Sequence, residues 1–338
     1  MIDFRYHVVS LISVFLALAV GIVLGAGPLR ENLGDQLTGQ VEQLRTEQER
    51  LRTQNDQLAE QNEQLGSFVA AAAPELVHNG LTGMRVVLIS DDTSTRDALD
   101  RTEQLLKSAG AKPTARIVLR SAMWDPAAAT DRANTVNALR AISPDLIVSN
   151  PDSAYQLGSA VVALTDPGVG GAIGQKKRRD AWEALIAAGM VSVDGDTASV
   201  ADGLVFASAD PDRLTVTSDQ GATAAQRAQL ALQVHTGMLT RIADDALPAV
   251  VAGVTPGNDT SRSILRTVRA DTRFSKLSTS DRLQESDGPV LAVLALIEQT
   301  QGGKGDYGTA SDADARMPES ARVLLQNSGA KPSDGGEG

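Results

Sequence analysis

Hydrophobic and polar positions fall into three successive patterns along this chain. The first is Val8 to Leu29, VVSLISVFLALAVGIVLGAGPL, which carries no charge. As a helix, its 22 residues span roughly 33 Å, against about 30 Å of bilayer hydrocarbon. A transmembrane helix is predicted. The rival reading is a cleaved signal peptide, whose apolar core runs only about 7–15 residues. Cleavage after Gly27 would also set Pro28 beside the cut, so the segment is read as a retained anchor. Ala17, Gly21 and Gly25 recur every four residues on one face. Small residues so spaced let two membrane helices approach closely, and they form the expected dimer face.

The second pattern is a heptad. Leu37, Leu44, Leu51, Leu58 and Leu65 recur every seven residues, which places Val41, Gln48, Asn55 and Asn62 at the preceding a positions. Leucine at d with asparagine at a is the signature of a parallel two-stranded coil, the polar pairs fixing register at a cost in stability. Glu47 at g faces Arg52 at e of the partner helix. The expectation is a homodimeric coiled-coil stalk over residues 30–66, kept weak enough by its polar a positions to open or exchange partners. A lone amphipathic helix lying on the globular part is the alternative. The polar remaining face and the sustained heptads speak against it.

From about residue 84 the pattern changes again, to short β-branched runs alternating with helical ones. Strands are expected at Arg85–Ser90, Ala115–Leu119, Asp145–Ser149, Leu204–Ser208 and Ala249–Val254, with a weaker one at Phe274–Thr279. Helices are expected at Thr95–Ala109 and near 130–142, 178–189, 222–243, 259–269 and 288–300. This alternation argues for a mostly parallel, Rossmann-like α/β sheet with right-handed crossovers. The expected organisation is a tail over 1–7, the membrane helix over 8–29, the stalk over 30–66 and a linker over 67–83. The α/β domain follows over 84–310, and a largely disordered tail over 311–338.

Charge then sets topology and excludes partners. Arg5 and the terminal amine, against Asp3, give the short leading flank a slight positive excess, which favours a cytoplasmic N-terminus and an extracytoplasmic domain. The placement is a plasma-membrane protein with a single span in the lipid bilayer. A formal charge of −11 over 338 residues suits no nucleic acid, whose phosphates need clustered Lys and Arg. The one basic run, Lys176-Lys177-Arg178-Arg179, reads as a solvated helix start. There is no cysteine, which excludes disulfides and thiolate metal sites.

Candidate chemistry is sparse. The first strand ends in Ser90-Asp91-Asp92-Thr93-Ser94-Thr95, at the end of the sheet where ligands bind in this fold class. Two adjacent carboxylates are a Mg²⁺ or phosphoryl candidate, but capping of the next helix accounts for them better. Gly168-Val169-Gly170-Gly171-Ala172-Ile173-Gly174 fails the P-loop spacing, since Gln175 stands where lysine belongs. A mobile loop is expected there. Of the three histidines, only His235 shares a helical face with a methionine, Met238. One such pair is not a Cu(I) site, and core packing is expected. Asp194-Gly195-Asp196 and Asp210-Pro211-Asp212 read as turns. No catalytic residue, cofactor site or metal site is assigned, and the chain is not expected to be an enzyme.

The opening MIDFRYHVVSLISVFLALAVGIVLGAGPL closely resembles the start of the actinobacterial MctB-like family, whose members carry the label copper transporter. The likeness extends more loosely through the stalk and the α/β domain to a late Gly305-Asp306-Tyr307-Gly308 turn. The resemblance implies copper homeostasis through an outer-membrane channel. Its SteB-type members imply a different role, in cell separation, with a SteA-like membrane partner and a coiled-coil-bearing peptidoglycan hydrolase. One membrane helix cannot form a pore alone, and copper ligands are few. The residues therefore favour a non-enzymatic envelope scaffold or regulator, with a copper-transport component as the alternative.

Overall fold

A computed structural model describes residues 4–209, 221–255, 263–319 and 321, with side chains for all of these except 24–38 and 222. The chain divides into two compact units, residues 1–65 and 66–338.

The first unit is helical from Phe4, inside the segment read as a tail, and belongs to helix α1 (Phe4–Val77). Phe4–Val23 is the one described stretch long and apolar enough to cross a membrane. Its side chains are exposed, as are Val41, Leu44, Leu51, Leu58 and Leu65 of the heptad. Gly21 has open space around it. Gly25 and Leu37 lie among the residues whose side chains are outside the description.

The second unit opens on the last turns of α1. Residues 67–83, expected to be a linker, are helical through Val77. Ala73 and Val77 are buried, and Val69 and Leu76 pack beside them. Helix continues there because apolar residues at these spacings give the last turns a face to bury.

Among the described residues, seven strands form one sheet in the order β3-β2-β1-β4-β5-β6-β7. They are β1 (Arg85–Ser90), β2 (Lys112–Leu119), β3 (Val191–Gly195), β4 (Gly203–Ser208), β5 (Ala249–Gly253), β6 (Ser278–Ser280) and β7 (Asp306–Tyr307). All pairs are parallel except β2 with β3. Successive residues along the central strands face opposite cores. Val86 and Leu88 join Val205, Ala207, Val250 and Ala252 beneath α2 (Arg96–Ser108) and α9 (Gly288–Thr300). Val87 and Ile89 join Leu204, Phe206 and Val251 on the other face. That face is covered by α3 (Ala129–Ile142), α4 (Ser153–Thr165), α6 (Gly174–Ala187), α7 (Ala222–Asp245) and α8 (Ile264–Ala270). Helices on both faces explain why β1 and β4 read as continuous apolar runs rather than alternating ones.

Several expectations need correction. Asp145–Ser149 is not a strand: Pro144–Leu146 forms a tight turn, and the outer edge of β2 is taken by antiparallel β3 instead. An apolar run signals burial, which Leu146 achieves without pairing. Helix α4 gave no sequence signal because eleven of its residues are buried, leaving no polar face to mark a helical period. It crosses α7 at Gly158 and Gly237, where a Cβ would fall within van der Waals distance of Val234 O and Tyr155 O respectively.

The glycine run at 168–174 is ordered as a short helix, α5 (Val169–Ala172), followed directly by α6. Asp166 accepts from Val169 N–H at 2.9 Å, and Gly170 sits against the carbonyls of Ala163 and Leu164. In the basic run, Lys176 and Lys177 are exposed, but Arg178 is buried and donates to Gly170 O at 2.8 Å and to Ala198 O. Burial pushes its guanidinium below the ordinary arginine range. Asp194 and Gly195 close β3 rather than forming a turn, and Asp306-Tyr307 is an edge strand. The Asp210-Pro211-Asp212 turn lies outside the described residues. Residues 311–319, assigned to a disordered tail, pack Ala315 and Met317 against the α2–α9 core. The rest of that tail, apart from buried Ala321, lies outside the described residues.

At the amino ends of β1 and β4, Arg85 and Asp202 tie the strands together. The Arg85 guanidinium donates to both carboxylate oxygens, at 2.6 and 3.0 Å, and its backbone N–H donates at 2.9 Å. The Arg85 side-chain hydrogen bonds hold the Asp202 carboxyl below its usual range. A depressed folded value means the pair contributes above the ordinary carboxylate range, and that contribution is lost as pH falls through the folded value. Both side chains are over a third exposed, so Asp202→Asn is expected to cost no more than about 1 kcal/mol at neutral pH. Denaturant unfolding of both proteins along an acid titration should show that difference shrinking.

Candidate functional site

Strand order reverses between β1 and β4: the chain runs outward from β1 through β2, then from β4 through β7 on the other side. In open α/β sheets the crevice at such a reversal, beyond the carboxyl ends of the strands, is where ligands bind. Here it holds Asp91, the residue after β1, with a side chain 0% exposed. Its Oδ2 accepts from Ser208 Oγ at 2.7 Å, and its Oδ1 accepts from the Ala209 N–H at 2.7 Å. Asp91 therefore pins the end of β4 to the end of β1. His235 of α7 completes the group, with Nε2 3.3 Å from Asp91 Oδ2. That approach lies off hydrogen-bond geometry, and Nε2 has no other hydrogen-bond partner. The imidazole is tilted against two aromatic rings, 5.5 Å from Phe206 and 6.4 Å from Trp124 between centroids.

The turn carrying Trp124 is itself held. Arg132 on α3 is buried and donates to Ala122 O at 3.1 Å and to Asp125 O. Burial lowers its pKa from the ordinary arginine value. Arg227 of α7 lies 3.6 Å from Asp125.

The two aspartates read together in the sequence thus part company. Asp92 caps the turn before α2, its Oδ1 accepting from Ser94 N–H at 2.8 Å, which is the capping expected for the pair. Asp91 points inward and caps nothing. His235 is buried as expected for core packing, but against a carboxylate that sequence spacing could not reveal, since Asp91 stands 144 positions away. Met238 is buried on the same helix.

A second buried carboxylate repeats the design at the far side of the sheet. Asp281 follows β6 and is 0% exposed. It accepts from the N–H groups of Thr309 and Ala310 at 2.9 and 3.1 Å, and from Thr255 Oγ1 at 3.2 Å, so it links the ends of β5, β6 and β7. Arg269 on α8 lies 3.4 Å from it and donates to Asp312 at 2.7 Å. The nearby Asp306 carboxyl is pushed up chiefly by its own burial, against the pull of Thr279 and Arg269. Burial, with a hydrogen bond to Glu298, likewise raises the Tyr307 phenol. Gly308, the last residue of the late Gly-Asp-Tyr-Gly motif, has φ +137°, and a Cβ there would overlap the Asp281 carboxylate. Only glycine fits.

Among the described residues, no three His, Cys, Asp or Glu side chains group as a metal site. What these clusters do chemically is knit strand ends. The family model described as "Copper transport outer membrane protein, MctB" matches residues 1–318. The chain belongs to the MctB family. The copper transporter MctB of Mycobacterium leprae (strain TN) is 31% identical over 329 residues, covering 93% of this chain and 98% of the relative. That of Mycobacterium tuberculosis (strain H37Rv) is 28% identical over 323 residues, with the same shares covered. In this MctB-family chain the described strands close no barrel. They form one open sheet with helices on both faces.

The division of labour between the aspartates is testable. Asp91→Ala leaves a buried hydroxyl and a buried N–H without their acceptor, at about 1–3 kcal/mol each. Asp92→Ala removes one cap and should cost about 1 kcal/mol. Thermal and denaturant unfolding of the two variants measures the difference.

Proposed function

We propose that this protein is a membrane-anchored, self-associating component of copper transport in the cell envelope, working through partners rather than as an enzyme. The observation that carries this reading is the family match, which runs through the apolar helix, the heptad and the α/β domain together. The family description and the relatives' names side with copper transport, the second of the two sequence expectations, rather than with cell separation.

Phe4–Val23 supplies the anchor, with the α/β domain outside the cytoplasm as the flanking charges favour. The exposed leucines of α1, recurring at d with polar residues at a, support a parallel homodimeric coil, and Ala17, Gly21 and Gly25 support closer pairing in the membrane. Copper is cargo of the assembly in this reading. With no cysteine and three histidines, the chain is poor in the soft ligands that Cu(I) prefers, so the ion's path requires a partner. A scaffold engaging a SteA-like protein and a peptidoglycan hydrolase is the second reading, favoured only by the polar a positions, which suit a coil that exchanges partners.

Cell-associated copper under mild copper stress decides between the two. A deletion strain is expected to accumulate copper and to lose the excess when this chain is restored; unchanged copper with chained, unseparated cells would reverse the order of the readings. The dimer has its own test. Replacing Asn55 and Asn62 by Ile should raise the thermal stability of the coil in the full chain and shift crosslinked products toward dimers or higher oligomers. A monomer before and after would remove the coil.

A further inference from the structure

A cavity of about 240 Å³ lies at the amino ends of β6 and β7, away from the carboxyl edge where Asp91 and Asp281 stand. Part of its wall is apolar: Val268, Phe274 and Leu277 line it, and all three are buried. Its polar lining comes from the end of α8, the turn before β6, residues 304–306 and Asp314. Small-molecule sites are built this way, with a few polar groups converging on an apolar hollow. No role given so far uses it.

What the cavity offers a ligand depends on which lining groups are already satisfied. All three nitrogens of the Arg269 guanidinium are engaged, with Thr279, Asp312, Asp281 and Tyr307 O. Both Asp271 oxygens accept from Arg273. Asp306 and Asp314 differ. Asp314 N–H donates to Asp306 O at 2.7 Å, and Asp306 N–H donates to Asp314 Oδ2 at 3.2 Å, which holds the two residues together. Asp306 Oδ1 accepts from Thr279 Oγ1 at 2.7 Å. Among the described residues, Asp306 Oδ2 and Asp314 Oδ1 have no hydrogen-bond donor. Burial, with Asp314 and Asp312 alongside, pushes the Asp306 carboxyl up against the pull of Thr279 and Arg269. Negative charge is under-compensated there, and a cation beside it relieves that. Lys304, also in the lining, is exposed and donates to Ser275 O, which leaves two of its three ammonium protons for a ligand.

We propose that this cavity binds a zwitterionic α-amino acid with an aliphatic side chain. Asp306 and Asp314 receive the ammonium, Lys304 receives the carboxylate, and the side chain lies on Val268, Phe274 and Leu277. The groups left over are of both signs, so a ligand carrying both charges satisfies more of them than an amine or an acid alone. A metal ion fits less well. Among the described residues no three such ligands group together, whereas an ammonium needs only acceptors for its three protons. Size agrees with this choice: the cavity falls below the roughly 300–1,000 Å³ of drug-sized sites, which selects a free amino acid over a peptide. The site is independent of the copper reading and of the stalk coil.

Isothermal titration calorimetry of the full chain in detergent tests the site, with L-leucine as the probe. Leucine is expected to bind saturably, at one site per chain. Isoamylamine lacks its carboxylate and 4-methylpentanoate lacks its ammonium. Each is expected to bind at least about tenfold more weakly, the worth of a charged hydrogen bond. Asp314→Asn and Lys304→Gln, both at exposed positions, should weaken leucine by a similar factor and leave cooperative thermal unfolding in place. No saturable leucine binding, a half-ligand that binds as tightly as leucine, or an affinity unchanged in either variant overturns the proposal. Should a variant fail to fold, leucine against its two half-ligands on the unaltered chain decides alone.

Discussion

A carboxylate taken out of water is tolerated only where its oxygens are met by donors, and this domain places two such groups at the carboxyl edge of its sheet. Asp91 gathers a hydroxyl and an N–H from the end of β4, with an imidazole from α7. Asp281 gathers two N–H groups, two hydroxyls and a guanidinium from around β5, β6 and β7. Each is costly to bury alone and stable only when several elements converge on it. Strand ends that would otherwise splay into loops are thereby fixed relative to one another. The edge where this fold class binds ligands is given over to its own side chains.

The buried polar groups are spent on architecture, while exposed apolar surface is concentrated on the described part of α1, from Phe4 to Phe68. The chain belongs to the MctB family, whose description names copper transport.

How much of this was legible beforehand can be judged element by element. The sequence pattern located β1, β4, β5, α2, α7 and α9 nearly to the residue, because strands and helices packed on one sheet leave clear apolar runs or stripes. It failed at α4, which is buried on nearly all sides and so has no polar period, and at Asp145–Ser149, whose apolar residues are buried without pairing. β3, short and with half-exposed and exposed residues, carries too little signal to announce itself. At the candidate site, adjacent Asp91 and Asp92 look equivalent. Only Asp92, which acts within three residues of itself, was readable as a cap.

The division follows range. Membrane-spanning length, heptad repeat, absence of cysteine, fold class and local caps are properties of neighbouring residues, and the sequence by itself determines them. Which carboxylate faces inward, which histidine it meets, why Gly158, Gly237 and Gly308 admit no side chain, and which segment takes the edge of β2 depend on residues tens to hundreds of positions apart. Those were decided only when the tertiary structure brought them together, since burial and ion pairing act through space and leave no mark on local spacing.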